Sequence, residues 1–317
     1  MSHTAWTRRA LLGTATAMVG LRAAGWSASP RTHALLIGAA EVAALPRRLW
    51  LRGPDHDVNL MRAALLERGL APRQITTLAG RHAEACDGPP TAARIRAAMA
   101  DLLARATPGD TVLLHLSGHG VQWPQPPGAS RTEADGWDEA FLPVDVRPWD
   151  AAQQSLPNAL LDDHIGEWFD TLVDAGARVW AFFDTCHAAG MARSEGRDYT
   201  RQRGVAAAEL GIPAGRPSRL SRGSKLLPTE RPTPPRLDGR VLAFAARSHE
   251  NTHEEWLPRG AARARLHGIF TWSVVEALRR GVADAASLRS AVAQNYQRDG
   301  RLLPVPQVLG EGVLPRF

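Results

Sequence analysis

The sequence predicts an α/β domain in which a mostly parallel central β-sheet is covered by helices on both faces. Short apolar runs alternate along the chain with longer segments whose apolar residues recur at helical spacing, and this alternation is typical of parallel strands joined by crossover helices. Hydrophobic residues make up 44% and charged residues 22% of the 317 residues. The chain can therefore bury a full core, and as a whole it is neither disordered nor a coiled coil.

Five short apolar runs are predicted to be strands buried on both faces, because each is bounded by loop-forming residues. They are residues 32–40, 74–80, 110–118, 177–184 and 241–247. Helical periodicity predicts four helices at 55–69, 91–106, 162–176 and 267–281. Thr91 stands where the hydroxyl group of an N-cap would receive a backbone N–H.

Residues 191–236 interrupt this pattern. They are rich in Arg, Pro, Gly and Ser and have no sustained hydrophobic periodicity. Such a composition predicts a long exposed linker, here inserted into a single domain that spans residues 30–317.

Residues 1–29 have the layout of an export signal. Thr7 precedes the pair Arg8 and Arg9, and leucines and a mildly apolar stretch follow. This segment resembles the twin-arginine signal, which implies export in the folded form to the bacterial periplasm or exterior. The alternative is an amphipathic N-terminus without a targeting role. The apolar run is shorter than the ~18 residues of a stable membrane anchor.

The formal net charge of +6 does not predict a nucleic-acid partner. The 38 basic residues include a single lysine, so the excess reflects a general preference for arginine. Arg8, Arg9 and Arg22 lie in the N-terminal segment, which contains no acidic residue. The remaining excess is too small to indicate a phosphate-binding face.

Two predicted strands end in residues that suit nucleophilic catalysis. The third runs into SGHG (117–120), which contains His119, and the fourth runs into DTCHAAG (184–190), which contains Cys186. Loops at the carboxyl ends of parallel strands meet at one edge of the sheet, so we expect both side chains to face one crevice. A thiol nucleophile requires an imidazole within reach, and glycines beside the histidine leave room for a substrate.

The other cysteine and two further histidines are expected to play no direct part. Cys86 lies in a polar loop and is interpreted as an incidental thiol. His115 precedes His119 by four residues on a strand, where this spacing does not favour zinc binding. His187 follows the cysteine and is interpreted as structural, or as a residue that tunes the thiolate.

The two motifs together resemble those of the caspase-fold cysteine peptidases, in particular the metacaspase and bacterial orthocaspase branch. Further matching segments occur in the same order, among them DEAFLPVD (138–145), LLDDHI (160–165) and HGIFTWSVVEAL (267–278). The resemblance covers roughly residues 32–190 and 240–300. It implies the caspase-like (caspase-hemoglobinase) fold, with residues 191–236 at the boundary between the large and small subunit regions of that family.

The resemblance also implies a role for each catalytic residue. Cys186 corresponds to the nucleophile and His119 to the general acid and base, with no cofactor required for the chemistry. The backbone N–H groups of Gly120 and Cys186 correspond to the oxyanion hole. The implied reaction is the hydrolysis of peptide bonds in proteins or peptides through a thioacyl-enzyme.

Asp57, Asp184 and Ser117 correspond to the residues that line the first specificity pocket of metacaspases. Two carboxylates in such a pocket favour an arginine or lysine side chain, so the expected cleavage follows a basic residue. The alternative for Asp57 is stabilisation of a helix N-terminus, and for Asp184 it is a role in a turn at the end of a strand.

A preference for basic residues makes five cations of the predicted linker candidate self-cleavage sites. They are Arg201, Arg203, Arg219, Arg222 and Lys225. Two other functions stay open: a catalytically silent caspase-fold scaffold that binds peptides or partners, and a self-processing thiol hydrolase of another specificity.

Some metacaspases require calcium as an activator, and Asp138, Asp162 and Asp163 correspond to their ligands. Carboxylates on exposed loops suit this hard cation. The position of a fourth acid falls near Arg193 or Ser194, which departs from the family pattern. The alternative is that these acids are solvated, with the pair near residue 162 favouring the start of a helix.

Overall fold

The computed structural model describes residues 30–125, 137–186, 201–214, 237–247 and 250–315. The predicted export signal and most of the predicted linker lie outside these residues. In chain order, the strands and α-helices are β1 (Thr32–Ala39), α1 (Gly53–Glu67), β2 (Ile75–Leu78), α2 (Ala92–Arg105), β3 (Thr111–Gly118), β4 (Gly120–Pro124), β5 (Trp137–Phe141), β6 (Leu160–Leu161), α3 (Asp162–Asp174), β7 (Arg178–Asp184), β8 (Arg240–Phe244), β9 (Glu254–Leu257), β10 (Arg265–Gly268), α4 (Ile269–Arg279), α5 (Ala285–Arg298) and β11 (Gln307–Gly310).

Six strands form the central sheet in the order β11-β8-β7-β3-β1-β2. Five of them are parallel, and β11 is an antiparallel edge strand. The two strands that precede the histidine and cysteine motifs, β3 and β7, are direct neighbours in the middle of the sheet. Their register pairs Ser117 with Asp184, so the residues that follow leave the sheet side by side.

Helices cover both faces of this sheet, which confirms the predicted fold class. One apolar core joins the sheet to α1, α4 and α5, and it includes Met61, Phe270 and Leu288. The other joins it to α2 and α3, and it includes Leu102, Trp168 and Phe169. Thr91 caps α2 as predicted, because its side chain accepts a hydrogen bond from the backbone N–H of Arg94. No helix in the described part of the chain is long and apolar enough to cross a membrane.

Two small sheets lie outside the central one and were not predicted. Strands β4, β5 and β6 form one antiparallel sheet, and β9 pairs with β10 to form the other. Both lie next to the carboxyl edge of the central sheet, since β4 begins at Gly120 and β10 ends at Gly268, directly before α4.

The prediction of an exposed linker is wrong for residues 201–214. Arg203 is fully buried, and Val205, Leu210 and Ile212 are also buried. The last three pack with β4 and β5 in a third apolar cluster. A segment without helical or strand periodicity is ordered here because its few apolar residues find partners in a sheet that is distant in sequence.

Candidate active site

The predicted site residues meet at the carboxyl edge of the central sheet. Ser117 and Asp184 end β3 and β7, and His119 and Cys186 each follow two residues later. Asp57 reaches the same place from α1, which packs on this part of the sheet. All five side chains are buried.

A side chain of the same protein occupies the predicted specificity pocket. Nη2 of Arg203 lies 2.6 Å from Oδ2 of Asp57, and Nη1 donates a hydrogen bond of 2.7 Å to Oγ of Ser117. Nη1 also donates to the backbone carbonyl of Asp184 and lies 3.3 Å from its carboxylate Oδ1. The guanidinium therefore contacts all three residues that the sequence assigns to this pocket.

Two glycines make the space for this guanidinium. A Cβ atom on Gly53 would lie 2.9 Å from Nη2 of Arg203, and one on Gly268 would lie 2.7 Å from its Cζ. Since real Cβ atoms essentially never approach other atoms this closely, a larger residue at either position would force the arginine or the adjacent carboxylate, Glu254 or Asp184, to shift. These glycines belong to the segments LRGPDHD and HGIF of the sequence.

The pocket carboxylates differ in their electrostatic surroundings. Burial alone would raise the pKa of Asp57, but the charge of Arg203 and a hydrogen bond from His267 outweigh it and lower the pKa to about 2. Burial raises the pKa of Asp184, against the charge of Arg203. Glu254 adds a third buried carboxylate, which accepts a 2.7 Å hydrogen bond from the backbone N–H of Gly53. The cluster therefore requires a cation.

Arg203 belongs to a strand-like segment, the cleft segment (residues 201–204), that lies across the cleft. Its backbone N–H donates to the carbonyl of Thr252 at 3.0 Å, and the N–H of Glu254 donates to the carbonyl of Arg201 at 3.1 Å. On the other side, the N–H of Gly120 donates to the carbonyl of Arg203 at 3.0 Å. The carbonyl of the arginine that fills the pocket thus accepts a hydrogen bond from a predicted oxyanion-hole donor.

The hydrogen bonds of His119 define its tautomer. Nε2 lies 2.6 Å from the carbonyl of Leu49, and because a carbonyl only accepts, Nε2 carries the proton. Nδ1 is buried, has no hydrogen-bond partner among the described residues and holds a lone pair. Burial lowers the pKa of this imidazole to about 4, partly offset by the carbonyl of Leu49.

The thiol of Cys186 is held against the backbone of Thr252, which precedes β9. Its Sγ accepts a hydrogen bond from the backbone N–H of Thr252 and lies 3.4 Å from the carbonyl of the same residue. Burial raises the pKa of the thiol to about 12. At neutral pH, Cys186 is therefore a thiol and His119 a neutral imidazole, and within the described residues no hydrogen bond joins the two.

Further residues that support the pocket were not predicted from the sequence. Thr271, at the start of α4, donates both its backbone N–H and its hydroxyl to Oδ2 of Asp184, at 2.9 and 2.6 Å. Nε2 of His115 in turn lies 3.0 Å from that hydroxyl. Since the hydroxyl proton goes to the carboxylate, His115 donates and the hydroxyl oxygen accepts.

The three acids of the predicted calcium site lie in one region. Asp138 is on β5, and Asp162 and Asp163 form the first turn of α3. Burial raises the pKa of Asp138, and the charge of Asp163 raises it further. The described residues contain no group of three or more His, Cys, Asp or Glu that could hold a metal ion. They do not by themselves fit a calcium site, so calcium activation stays a prediction and no step below depends on it.

The remaining predicted residues fall in three places. Cys86 is exposed and its Sγ contacts only backbone atoms of its own loop, at Ala79 and Gly88. Arg201 accompanies Arg203 in the cleft segment. His187 and the cations Arg219, Arg222 and Lys225 lie outside the described residues.

The comparison with protein families agrees with this arrangement. Residues 32–194 match the family model described as the metacaspase, peptidase C14 domain. The chain belongs to this family. The metacaspase match begins at β1 and extends beyond the cysteine motif, so it includes the residues of α1, β3 and β7 that form the site.

Individual metacaspases are similar to this chain over part of their length. Metacaspase-4 of Arabidopsis thaliana is 33% identical over 142 residues, which are 44% of this chain and 30% of the relative. Metacaspase-1A of Aspergillus oryzae is 34% identical over 137 residues, 43% of this chain and 30% of the relative. The match thus spans about a third of these curated relatives.

One solved structure shares the fold. Protein GSU0716 from Geobacter sulfurreducens aligns with a TM-score of 0.56 at 20% sequence identity, over 90% of this chain and 95% of that chain. At this identity the similarity concerns the fold alone.

Proposed function

We propose that this protein is a cysteine endopeptidase that hydrolyses peptide bonds after arginine or lysine in protein and peptide substrates. Membership of the metacaspase family supports the peptidase activity. The position of Arg203 supports the specificity, because its guanidinium fills the acidic pocket while its carbonyl accepts a hydrogen bond from Gly120. A substrate residue that precedes the scissile bond would make the same contacts.

Because the Cys186 thiol and the His119 imidazole are both neutral, the thiol has to lose its proton as it attacks. Nδ1 of His119 accepts the proton of the Cys186 thiol as Sγ attacks the substrate carbonyl, and the N–H groups of Gly120 and Cys186 stabilise the resulting oxyanion. The imidazolium then gives this proton to the departing amine, which leaves a thioacyl-enzyme. Water, activated by the same imidazole, hydrolyses the thioester and regenerates the thiol.

The contacts of the pocket favour arginine over lysine. The two terminal nitrogens of Arg203 reach different groups, with Nη2 at Asp57 and Nη1 at Ser117 and Asp184. A lysine ammonium is a single point charge and does not match this forked set of acceptors. We therefore expect lysine to be accepted with lower efficiency.

Fluorogenic peptides that end in Arg, Lys or Asp test this proposal. The purified protein is expected to cleave the Arg peptide fastest and the Asp peptide not measurably, and both Cys186→Ala and His119→Ala are expected to abolish turnover. Cys86→Ala is the matched control and should retain it. Assays with and without calcium test the predicted activation. Absence of turnover in every condition would favour the silent scaffold, and preference for Asp would contradict the pocket assignment.

Self-cleavage at Arg203, one of the cations of the predicted linker, is supported by the same cleft segment. The carbonyl of Arg203 accepts a hydrogen bond from the predicted oxyanion donor Gly120, so the bond between Arg203 and Gly204 would be the one cleaved. Mass spectrometry of the full chain is expected to find a fragment that begins at Gly204, and Cys186→Ala should prevent its formation. Cleavage only at other positions would contradict this assignment.

We also propose export by the twin-arginine route, on the basis of the run Thr7-Arg8-Arg9 and the leucines that follow it. Replacement of both arginines by lysine preserves the charge but is expected to retain the protein inside a bacterial host. Cell fractionation measures this outcome. Unchanged export of the double-lysine variant would exclude the route.

A further inference from the structure

A basic cavity lies beside the specificity pocket. It encloses about 560 Å³ and is bounded by the loop between β1 and α1, the loop after β2, the β9–β10 hairpin and the cleft segment. The charged residues of its lining are mostly arginines: Arg47, Arg52, Arg81, Arg201 and Arg265, with Glu41 as the one acid. The histidines His56 and His82 also line it.

The arginines of this cavity are poorly neutralised. Glu41 is 2.6 Å from Nη2 of Arg81 and is therefore already paired. Within the described part of the chain, Arg47, Arg52 and Arg265 form no salt bridge, and all three are exposed. Arg47 instead lies over the ring of Trp50 at 5.5 Å. The cavity thus presents exposed guanidinium groups, without carboxylate partners among the described residues, to a ligand that enters from solvent.

The cleft segment shows which part of a substrate would reach this cavity. In an extended chain, side chains two residues apart point to the same face. Arg203 enters the specificity pocket, and Arg201, two residues earlier, lines the neighbouring basic cavity. A substrate bound in the same register would place there the residue two positions before its scissile arginine.

Arg201 carries the wrong charge for these surroundings. Its guanidinium donates a hydrogen bond to the backbone carbonyl of Trp50, and among the described residues it has no carboxylate partner. Its own positive charge adds to those of Arg52 and Arg265 around the cavity. A carboxylate at this position would instead accept charge-assisted hydrogen bonds from the unpaired arginines.

We propose that this cavity is a subsite that selects an acidic side chain, Glu or Asp, two residues before the scissile arginine. The proposal rests on the proposed arginine-specific peptidase activity. The protein's own segment, with arginine at this position, is consequently a less favourable occupant of the cleft than the same segment with Glu or Asp there would be.

Three peptides that differ at one position test the subsite. Each carries the sequence Xaa-Gln-Arg before a fluorogenic leaving group, with Glu, Gln or Arg as Xaa. The expected order of kcat/KM is Glu above Gln above Arg, with roughly tenfold between Glu and Arg, and the difference should shrink at high salt because exposed charges are screened. Arg52→Glu and Arg265→Glu are expected to reverse the order.

Two controls accompany this test. The Gln peptide is the neutral reference, and a variant far from the cavity controls for the change of charge. Arg73 is exposed on the turn before β2, at the opposite end of the sheet, so Arg73→Glu should preserve the order of the three peptides. Equal rates for all three, or a preference for Arg, would overturn the subsite while cleavage itself supports the peptidase. Failure to cleave any of them, in a protein that folds, would overturn the peptidase activity on which the subsite depends.

Discussion

Nη2 of Arg203 lies 2.6 Å from Oδ2 of Asp57, and both side chains are fully buried. The two residues are far apart in sequence and belong to a helix and to a segment without regular structure. A buried carboxylate pair without a cation is strongly unfavourable, so some positive group must fill the pocket whenever water is excluded from it. In the intact chain that group is Arg203, and during catalysis it would be the substrate.

This relationship predicts that Arg203→Ala increases the initial rate on short Arg peptides. A tethered occupant competes with a free peptide at an effective concentration on the order of millimolar. Its removal is therefore expected to raise the rate at low substrate concentration about tenfold or more, compared with the unprocessed wild-type chain. Arg73→Ala is the control. An equal rate for Arg203→Ala and the intact wild-type chain would show that the segment does not compete.

The thiol of Cys186 is predicted to react slowly with iodoacetamide. Its pKa is raised by burial from 9.0 to about 12, which makes its thiolate fraction at neutral pH about a thousandfold smaller. Cys86 is exposed and serves as an internal reference in the same molecule. Peptide mapping is expected to show Cys86 labelled first, and Arg203→Ala should accelerate labelling of Cys186 by opening the cleft. Comparable labelling of both thiols in the wild type would contradict this.

The hydroxyl of Thr271 is predicted to favour substrate binding indirectly, through its hydrogen bond to Asp184. Thr271→Val removes the 2.6 Å hydrogen bond to Asp184 while keeping the shape of the side chain. Hydrogen bonds to charged groups contribute about 1.5–3 kcal/mol, so kcat/KM for Arg peptides is expected to fall tenfold to a hundredfold. Thr271→Ser retains the donor and should restore most of it. A loss of the same size in Thr271→Ser would indicate a packing defect instead.

The sequence predicts the central sheet well because its strands are nearly continuous apolar runs. It does not predict β9 and β10, whose sequences EEWL and RLHG are polar and short. These strands form because they pair with each other and support the cleft segment. Helix α5, with a buried face that includes Leu288 and Val292, was also missed, since its apolar positions are diluted by alanine and polar residues.

The candidate site, like the fold, is predicted from the sequence only in part. Ser117 and Asp184 end two apolar strands that the sequence predicts, whereas the position of Asp57 beside them is implied only by the resemblance to metacaspases. The insertion of Arg203 among them is not predicted, because it depends on a contact between residues 146 positions apart. The sequence singles out Arg203 as one of five linker cations, but only the fold shows which of the described ones enters the pocket.

Stability is predicted to fall between pH 6.5 and about 4 because His115, like His119, is buried as a neutral imidazole. Burial lowers its pKa from 6.5 to about 4, whereas in the unfolded chain it binds a proton below pH 6.5. In this interval the unfolded state holds more protons, so stability decreases as the pH falls. A shift of this size corresponds to a loss of about 3 kcal/mol. Urea unfolding at several pH values measures it.

His115→Leu separates this effect from the titration of other groups. The variant loses a hydrogen bond to Thr271 and is expected to be less stable at pH 7, but its stability should depend less steeply on pH between 6.5 and 4. His164 is exposed at the start of α3, so His164→Leu should keep the wild-type slope. If His115→Leu also kept that slope, His115 would not be one of the buried groups that take up a proton on unfolding.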